Sequence, residues 1–286
     1  MFIGLGLGLV AQAIYGGVGD NALNDYGTPF FLADFIESEY RNNGPLTSSF
    51  TALTGLTFTR ASTGYAQTAA GVLVPFASGA PRITDKGLLI EGARTNLCLR
   101  SQEFDNASWS AVNLTSRTAD AAAAPDGTTT ADLIVPNTSN TAHNVNQSIT
   151  HTAASYTYSV FAKAAGYAKL GFREATTLGS YATFDLSGAG SVIATLSATA
   201  TIQALADGWY RCSFTFTGAA VAQQIGIFIM DSGYTSGSPH LYTYSGNGTS
   251  GAYLWGAQDE LGAFPSSYIP TTTTSVTRAA DVASIA

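Results

Sequence analysis

The stretch Trp209–Thr217, WYRCSFTFT, alternates without a break: Tyr210, Cys212, Phe214 and Phe216 share one face of an extended chain, and Trp209, Arg211, Ser213 and Thr215 share the other. A period of two predicts a strand whose Tyr/Cys/Phe face is buried in a core. Outward from it, TADLIVP, YTYSVFAKA, KLGFRE, YATFDL, SVIATL, QIGIFIMD and AYLWGAQDE read as further strands, separated by Asp-Gly, Ser-Gly and Asn-Gly turns. IGIFIMD is apolar on both faces and is expected to be central. Ala119–Ala124 is helix-friendly alone, but Pro125-Asp126-Gly127 closes it, so it reads as loop. No long amphipathic helix interrupts the series, and the pattern is that of an all-β sandwich or barrel.

Upstream lies Gly87–Trp109, GLLIEGARTNLCLRSQEFDNASW, with two apolar runs around Gly92 and an aromatic end. It reads as the hinge between an attachment region and the sandwich. FTALTGLTFTR, GVLVPF and GLLIEG are short strand candidates, Thr47–Ser49 is a loop, and Pro29–Ile36 fits a strand or a short helix equally. At the start, Leu5, Leu7 and Leu9 alternate with glycines, as a docking strand for a partner or a second copy would. Gly6-x-Gly8-x-x-Ala11 matches a loose nucleotide fingerprint. That motif needs a preceding strand and a following helix, and here Gly16, Gly17 and Gly19 interrupt any helix.

Only 11% of the residues are charged, the net charge is -7 and the pI is near 4.8. Phosphate contacts need clustered Lys and Arg, so nucleic acid is not an expected partner. No Lys or Arg precedes Arg41, and the opening apolar run is shorter than the ~20 residues of a membrane span. Neither a signal peptide nor membrane insertion is expected. Cys98 and Cys212 sit in apolar runs and read as reduced core thiols. The sequons at Asn106, Asn113, Asn137, Asn146 and Asn247 arise easily in so Asn- and Thr-rich a chain.

Six segments in order, FTRAS at Phe58–Ser62, GLLIEGARTNL at Gly87–Leu97, FDNASW at Phe104–Trp109, DGTTTAD at Asp126–Asp132, DGWYR at Asp207–Arg211 and YLWGAQDELGAFPSSYIPT at Tyr253–Thr271, resemble head-spike and tail-fibre proteins of tailed phages and gene transfer agents. The resemblance implies a jelly-roll sandwich like that of carbohydrate-binding modules, over residues 87–272. Residues 1–86 would be an N-terminal virion-docking arm with small strands, and 273–286 a short tail. It further implies a homo-oligomer, with a trimer favoured, assembled in the bacterial cytoplasm and displayed on the particle surface. Its partners would be capsid or other virion proteins and the capsular polysaccharide of the host. The expected function is non-enzymatic adsorption; a structural adaptor and a polysaccharide depolymerase are the alternatives. In relatives the chain runs on past the TRAADV motif. Thr277-Arg278-Ala279 also echoes Thr59-Arg60-Ala61, which predicts that the two segments lie side by side.

Sugar binding needs aromatic faces for C–H contacts and planar polar groups for hydroxyls. The candidates are Arg173, Trp209, Arg211, Asp231, Tyr234, His240, Tyr242 and Tyr244, with the loop tyrosines favoured over Trp209 and Trp255 because a Gly/Ser-rich loop offers them little core. Trp109 reads as a core plug. Catalysis of glycan cleavage needs two carboxylates, for which Glu174, Asp185, Asp231, Asp259 and Glu260 are candidates, and no nucleophilic triad is evident. No cofactor is required. The candidate ligands for a structural Ca²⁺ are Glu103, Asp105, Asp259 and Glu260, hard oxygen ligands near strand ends.

Overall fold

The computed structural model describes residues 31–34, 38–42, 47–175 and 179–285. They fall into two units: a larger one of 70–73 and 94–277, and a smaller one drawn from 1–69, 74–93 and 278–286. The docking strand expected at Gly4–Leu9 lies outside the described residues. No described helix is long and apolar enough to cross a membrane.

The larger unit is an all-β jelly-roll sandwich of two six-stranded sheets. One sheet runs in the order Leu114–Ala123, Thr129–Pro136, Gly251–Leu261, Ser155–Ala165, Trp209–Thr217, Ala198–Ala204. The other runs Ser191–Leu196, Tyr181–Asp185, Lys169–Glu174, Ala222–Met230, Asn144–Thr150, Ser110–Val112. Neighbours in both pair antiparallel. The chain crosses between the sheets several times, and the inner faces of the two sheets meet across one core.

Alternation assigns that core. Tyr210, Cys212, Phe214 and Phe216 point into it, as the period of two requires, and face Leu170, Phe172, Phe184, Ile225, Ile227 and Ile229 from the opposite sheet. Phe214 stacks on Phe216 at 4.8 Å, and Phe172 lies 6.1 Å from Phe214. Ala222–Met230 is indeed interior to its sheet. Both cysteines are buried and free, and burial pushes their thiols well above the ordinary value. Trp109 is a plug: it packs on Phe104 at 4.7 Å and donates from Nε1 to the Arg100 carbonyl at 3.0 Å.

The alanine-rich stretch is a correction. Residues 119–123 finish the edge strand Leu114–Ala123, and the turn at Pro125-Asp126-Gly127 closes a hairpin instead of ending a loop. Asp120 at φ 51° bulges the strand between the Thr118 and Ala122 pairings. That irregularity breaks the alternation by which a strand is recognised.

In the smaller unit, Phe31–Asp34 pairs with Glu39–Asn42, Arg82–Thr84 with Gly87–Leu89, and Leu56–Thr59 with Val282–Ile285. The last residues therefore belong with the early ones, and the boundaries fall at 93/94 and 277/278 where 86/87 and 272/273 were expected. Three arginines, Arg60, Arg82 and Arg278, are buried here. Asp281 takes Arg60 Nη1 on Oδ1 at 3.0 Å and Arg82 on Oδ2, and Oδ2 also accepts the Glu91 N–H at 2.9 Å. Glu91 pairs with Arg82 at 2.7 Å and Arg278 at 3.4 Å. The echoed Thr-Arg-Ala segments do meet: Ala279 N donates to Ser62 Oγ at 3.0 Å, and Thr59 stands in register with Val282.

Candidate functional site

The strand Asn144–Thr150 turns Val145 and Ile149 inward and presents Asn144, Asn146 and Ser148 on the outer face of its sheet. Strand pairing carries that face sideways. Asn146 is opposite Gly226, which is opposite Arg173; one row along, Asn144 is opposite Phe228, which is opposite Gly171. With ~4.8 Å between strands, Asn146 and Arg173 are on the order of 10 Å apart along one row. Asn144, Asn146, Arg173, Gly226 and Phe228, with Gln224 and His240, line a groove of about 300 Å³.

Two glycines shape it. A Cβ on Gly226 would stand 2.8 Å from Phe228 Cε2, so only glycine leaves room for that ring to lie along the floor. A Cβ on Gly171 would stand 2.6 Å from Pro239 Cβ, so Gly171 lets the loop of residues 231–250 settle onto the sheet. The loop is stitched down where Thr141 and Tyr244 exchange backbone hydrogen bonds at 3.2 Å, and it supplies His240 as a wall.

The groove mixes polar and apolar surface, and no negative side chain among the described residues lines it. Asn146 Nδ2 donates to Asn144 Oδ1 at 2.9 Å, which leaves Asn146 Oδ1 as an acceptor and Asn144 Nδ2 as a donor for a ligand. Gln224 is exposed, Arg173 half-buried, and no Asp or Glu among the described residues lines the groove. Burial, and next the Arg173 charge, hold the His240 imidazole below its ordinary value. His240 also meets the Phe228 ring edge-on at 6.3 Å.

Of the expected binding residues, Arg173 and His240 are here together. The others have structural work. Trp209 is buried on the other sheet, where its Nε1 donates to the Ala123 carbonyl at 3.1 Å. Arg211 lies over Phe161 and donates to Ser159 Oγ and the Ser266 carbonyl at 3.1 and 2.8 Å. The loop tyrosines form the loop's own small core, where the expectation was that it had little to offer them. Tyr242 lies 5.2 Å from Tyr234 and stacks at 5.7 Å on Tyr244, whose hydroxyl donates to the Ile229 carbonyl at 2.9 Å. Tyr234 donates to the Gly237 carbonyl, and Tyr242 to Asp231, which thereby anchors the loop. Burial and then that carboxylate push Tyr242 up to about 12.

The four proposed Ca²⁺ ligands are not gathered. Asp259 and Glu260 are neighbours on one strand and therefore project to opposite faces. Asp259 points into the core to His151, Glu260 is held by Ser266 Oγ at 2.6 Å, Glu103 pairs with Arg100 at 2.9 Å, and Asp105 is exposed. No group of three or more His, Cys, Asp or Glu among the described residues is placed to hold a metal ion. The carboxylates suggested for glycan cleavage are likewise dispersed: Glu174, Asp259 and Glu260 are buried, Asp185 pairs with Lys169, and Asp231 receives Tyr242.

Sequence reasoning missed Asn144, Asn146, Gln224 and Phe228. Asn146 drew notice only as a sequon. The available signal was the polar/apolar alternation of NVNQSIT, which the inward Gln147 interrupts: its side chain accepts from Leu99 N at 2.8 Å and donates to the Leu99 carbonyl at 3.0 Å.

No family model matches the chain, and no curated protein matches it. Several solved structures are similar over part of it. A xylan-binding domain from Paenibacillus barcinonensis is 14% identical, covering 62% of this chain and 99% of that one, with a TM-score of 0.36. A two-module fragment of a Clostridium thermocellum endo-xylanase, solved with xylohexaose, is 17% identical over 57% of this chain, with a TM-score of 0.34. The enzymatically active domain of tailspike protein 4 of bacteriophage CBA120 is 13% identical over 58%, with a TM-score of 0.33. The match spans 28% of the Clostridium chain and 21% of the tailspike chain.

Proposed function

We propose that this chain is a non-enzymatic spike or fibre protein of a phage or phage-like particle, and that its jelly roll binds bacterial surface polysaccharide in the groove between Asn146, Gln224, Phe228 and Arg173. The observation that carries the reading is the groove's donor set: two side-chain amides with free capacity, a guanidinium and an aromatic ring on one rigid sheet face. Planar hydrogen-bonding groups beside an apolar ring suit sugar hydroxyls and C–H faces. Five candidate carboxylates lying away from the groove favour binding over cleavage, since glycoside hydrolysis needs an acid and a base flanking the bond. Display in several copies on a symmetric particle, through the N-terminal arm, would raise a weak single-site affinity. The reading calls for no cofactor.

Retention of the full-length protein on immobilised capsular polysaccharides tests it. The expected result is retention by a subset of polymers, a loss of about tenfold or more in affinity for the Asn146→Ala/Gln224→Ala double variant, and no shortening of the polymer. Incorporation into particles with no glycan retention would favour a structural adaptor. Falling polymer length would favour a depolymerase.

A further inference from the structure

Every arginine whose side chain is described is engaged within the chain, with one exception. Arg60, Arg82 and Arg278 meet Asp281 or Glu91; Arg94 lies 3.7 Å from Glu260; Arg100 pairs with Glu103. Arg117 donates to the carbonyls of Phe104, Asn106 and Trp109, and Arg211 to Ser159 and Ser266. Among the described residues, the Arg173 guanidinium alone makes no side-chain hydrogen bond or ion pair, and it stands in the groove.

Its surroundings give that isolation a purpose. The chain has 19 acidic and 12 basic residues, yet among the described residues none of the acidic ones lines the groove, so an anionic ligand there meets a positive guanidinium and no lining carboxylate. Arg173 is half-buried on a strand interior to its sheet, with Gly226 beside it and Gly179 within reach of its guanidinium, at 3.7 Å from a Cβ placed there. Low exposure strengthens its interaction with a ligand charge, and the guanidinium fork matches a carboxylate in two parallel hydrogen bonds. Neutral sugar hydroxyls do not require such a group, because the amides of Asn144, Asn146 and Gln224 already serve them.

Resting on the glycan-binding reading above, we infer that the groove selects an acidic polysaccharide, with Arg173 receiving the carboxylate of a uronic-acid residue while the amides and Phe228 hold the ring.

The test uses the full-length protein against alginate and polygalacturonate, each as the native polymer and after reduction of its carboxyl groups to alcohols, with xylan as a neutral polymer and dextran sulfate as a non-carboxylate polyanion. The expected result is that carboxyl reduction weakens binding of at least one acidic polymer by about tenfold or more. Arg173→Gln should weaken binding of the native polymer by about tenfold or more and binding of the reduced polymer by much less, with an unchanged thermal midpoint and far-UV circular dichroism showing that the variant is folded. Arg173→Lys should recover part of the loss. Equal binding of native and reduced polymers, lost in Asn146→Ala, would overturn the acid selectivity while leaving the glycan site intact. Binding to dextran sulfate as tight as to the carboxylate polymer would overturn the carboxylate assignment, and retention on none of the polymers would overturn both readings.

Discussion

Gly226 carries more of the groove than its missing side chain suggests. The Phe228 ring occupies the space a Cβ would need, and Phe228 is itself 5% exposed, so neither group can move far. Gly226→Ala should therefore force the ring off its rotamer at a cost of about 1–3 kcal/mol. The expected outcome is a thermal midpoint lowered by several degrees, with the far-UV circular dichroism unchanged and glycan retention reduced. An alanine variant with wild-type stability and binding would mean that the ring does not form the floor. The same scale explains why the loop tyrosines do not line the groove. Tyr234, Tyr242 and Tyr244 look available in a Gly/Ser-rich stretch, but their hydroxyls have acceptors within the chain and their rings have one another.

At the level of elements, legibility followed the apolar pattern. WYRCSFTFT announced itself because one face is wholly Tyr, Cys and Phe, and the observed core uses that face. NVNQSIT did not, because a strand with amides on both faces, Asn144 and Asn146 outward and Gln147 inward, has little hydrophobic contrast. A strand of that kind is harder to see than one with a wholly apolar face. The tail could be placed only through the repeated Thr-Arg-Ala, since a four-residue strand has no period of its own. Asp281 is the group that fixes that tail: its carboxylate serves two buried guanidiniums and the Glu91 N–H. Asp281→Asn leaves buried positive charge uncompensated, which costs about 3–5 kcal/mol. Hydrogen exchange should then show loss of protection in Leu56–Thr59 and Val282–Ile285, with Trp209–Thr217 still protected. Unchanged protection in the two small strands would contradict this role for Asp281.

For the whole molecule, three buried groups set how stability responds to pH. His151 sits between Asp259 Oδ2 and Gln223 Oε1, each at 2.7 Å, inside the sandwich. Burial alone would lower its pKa, but the Asp259 hydrogen bond and charge outweigh it and raise the value. Asp259 is raised by burial, with His151 offsetting part of the effect. Asp132 is raised to about 6, chiefly by burial, although the N–H groups of Asp120 and Asp105 donate to it at 3.1 and 3.2 Å. All three shifts have one sign: the folded state holds protons that the unfolded state has released, so stability must fall as pH rises through the folded values. For His151 the contribution is complete below its unfolded value, about 6.5, and is lost above the raised one. For Asp132 the loss runs from about pH 4 to about 6. Asp185 works the other way, its pKa lowered because Lys169 and Ser187 outweigh the cost of burial, but its contribution disappears only below about pH 4 and leaves this window untouched. The thermal midpoint should therefore be higher at pH 5 than at pH 8. Asp132→Asn should flatten the lower part of that slope, and His151→Gln the upper part. A midpoint that climbs steadily from pH 5 to pH 8 would show that these groups do not govern the balance.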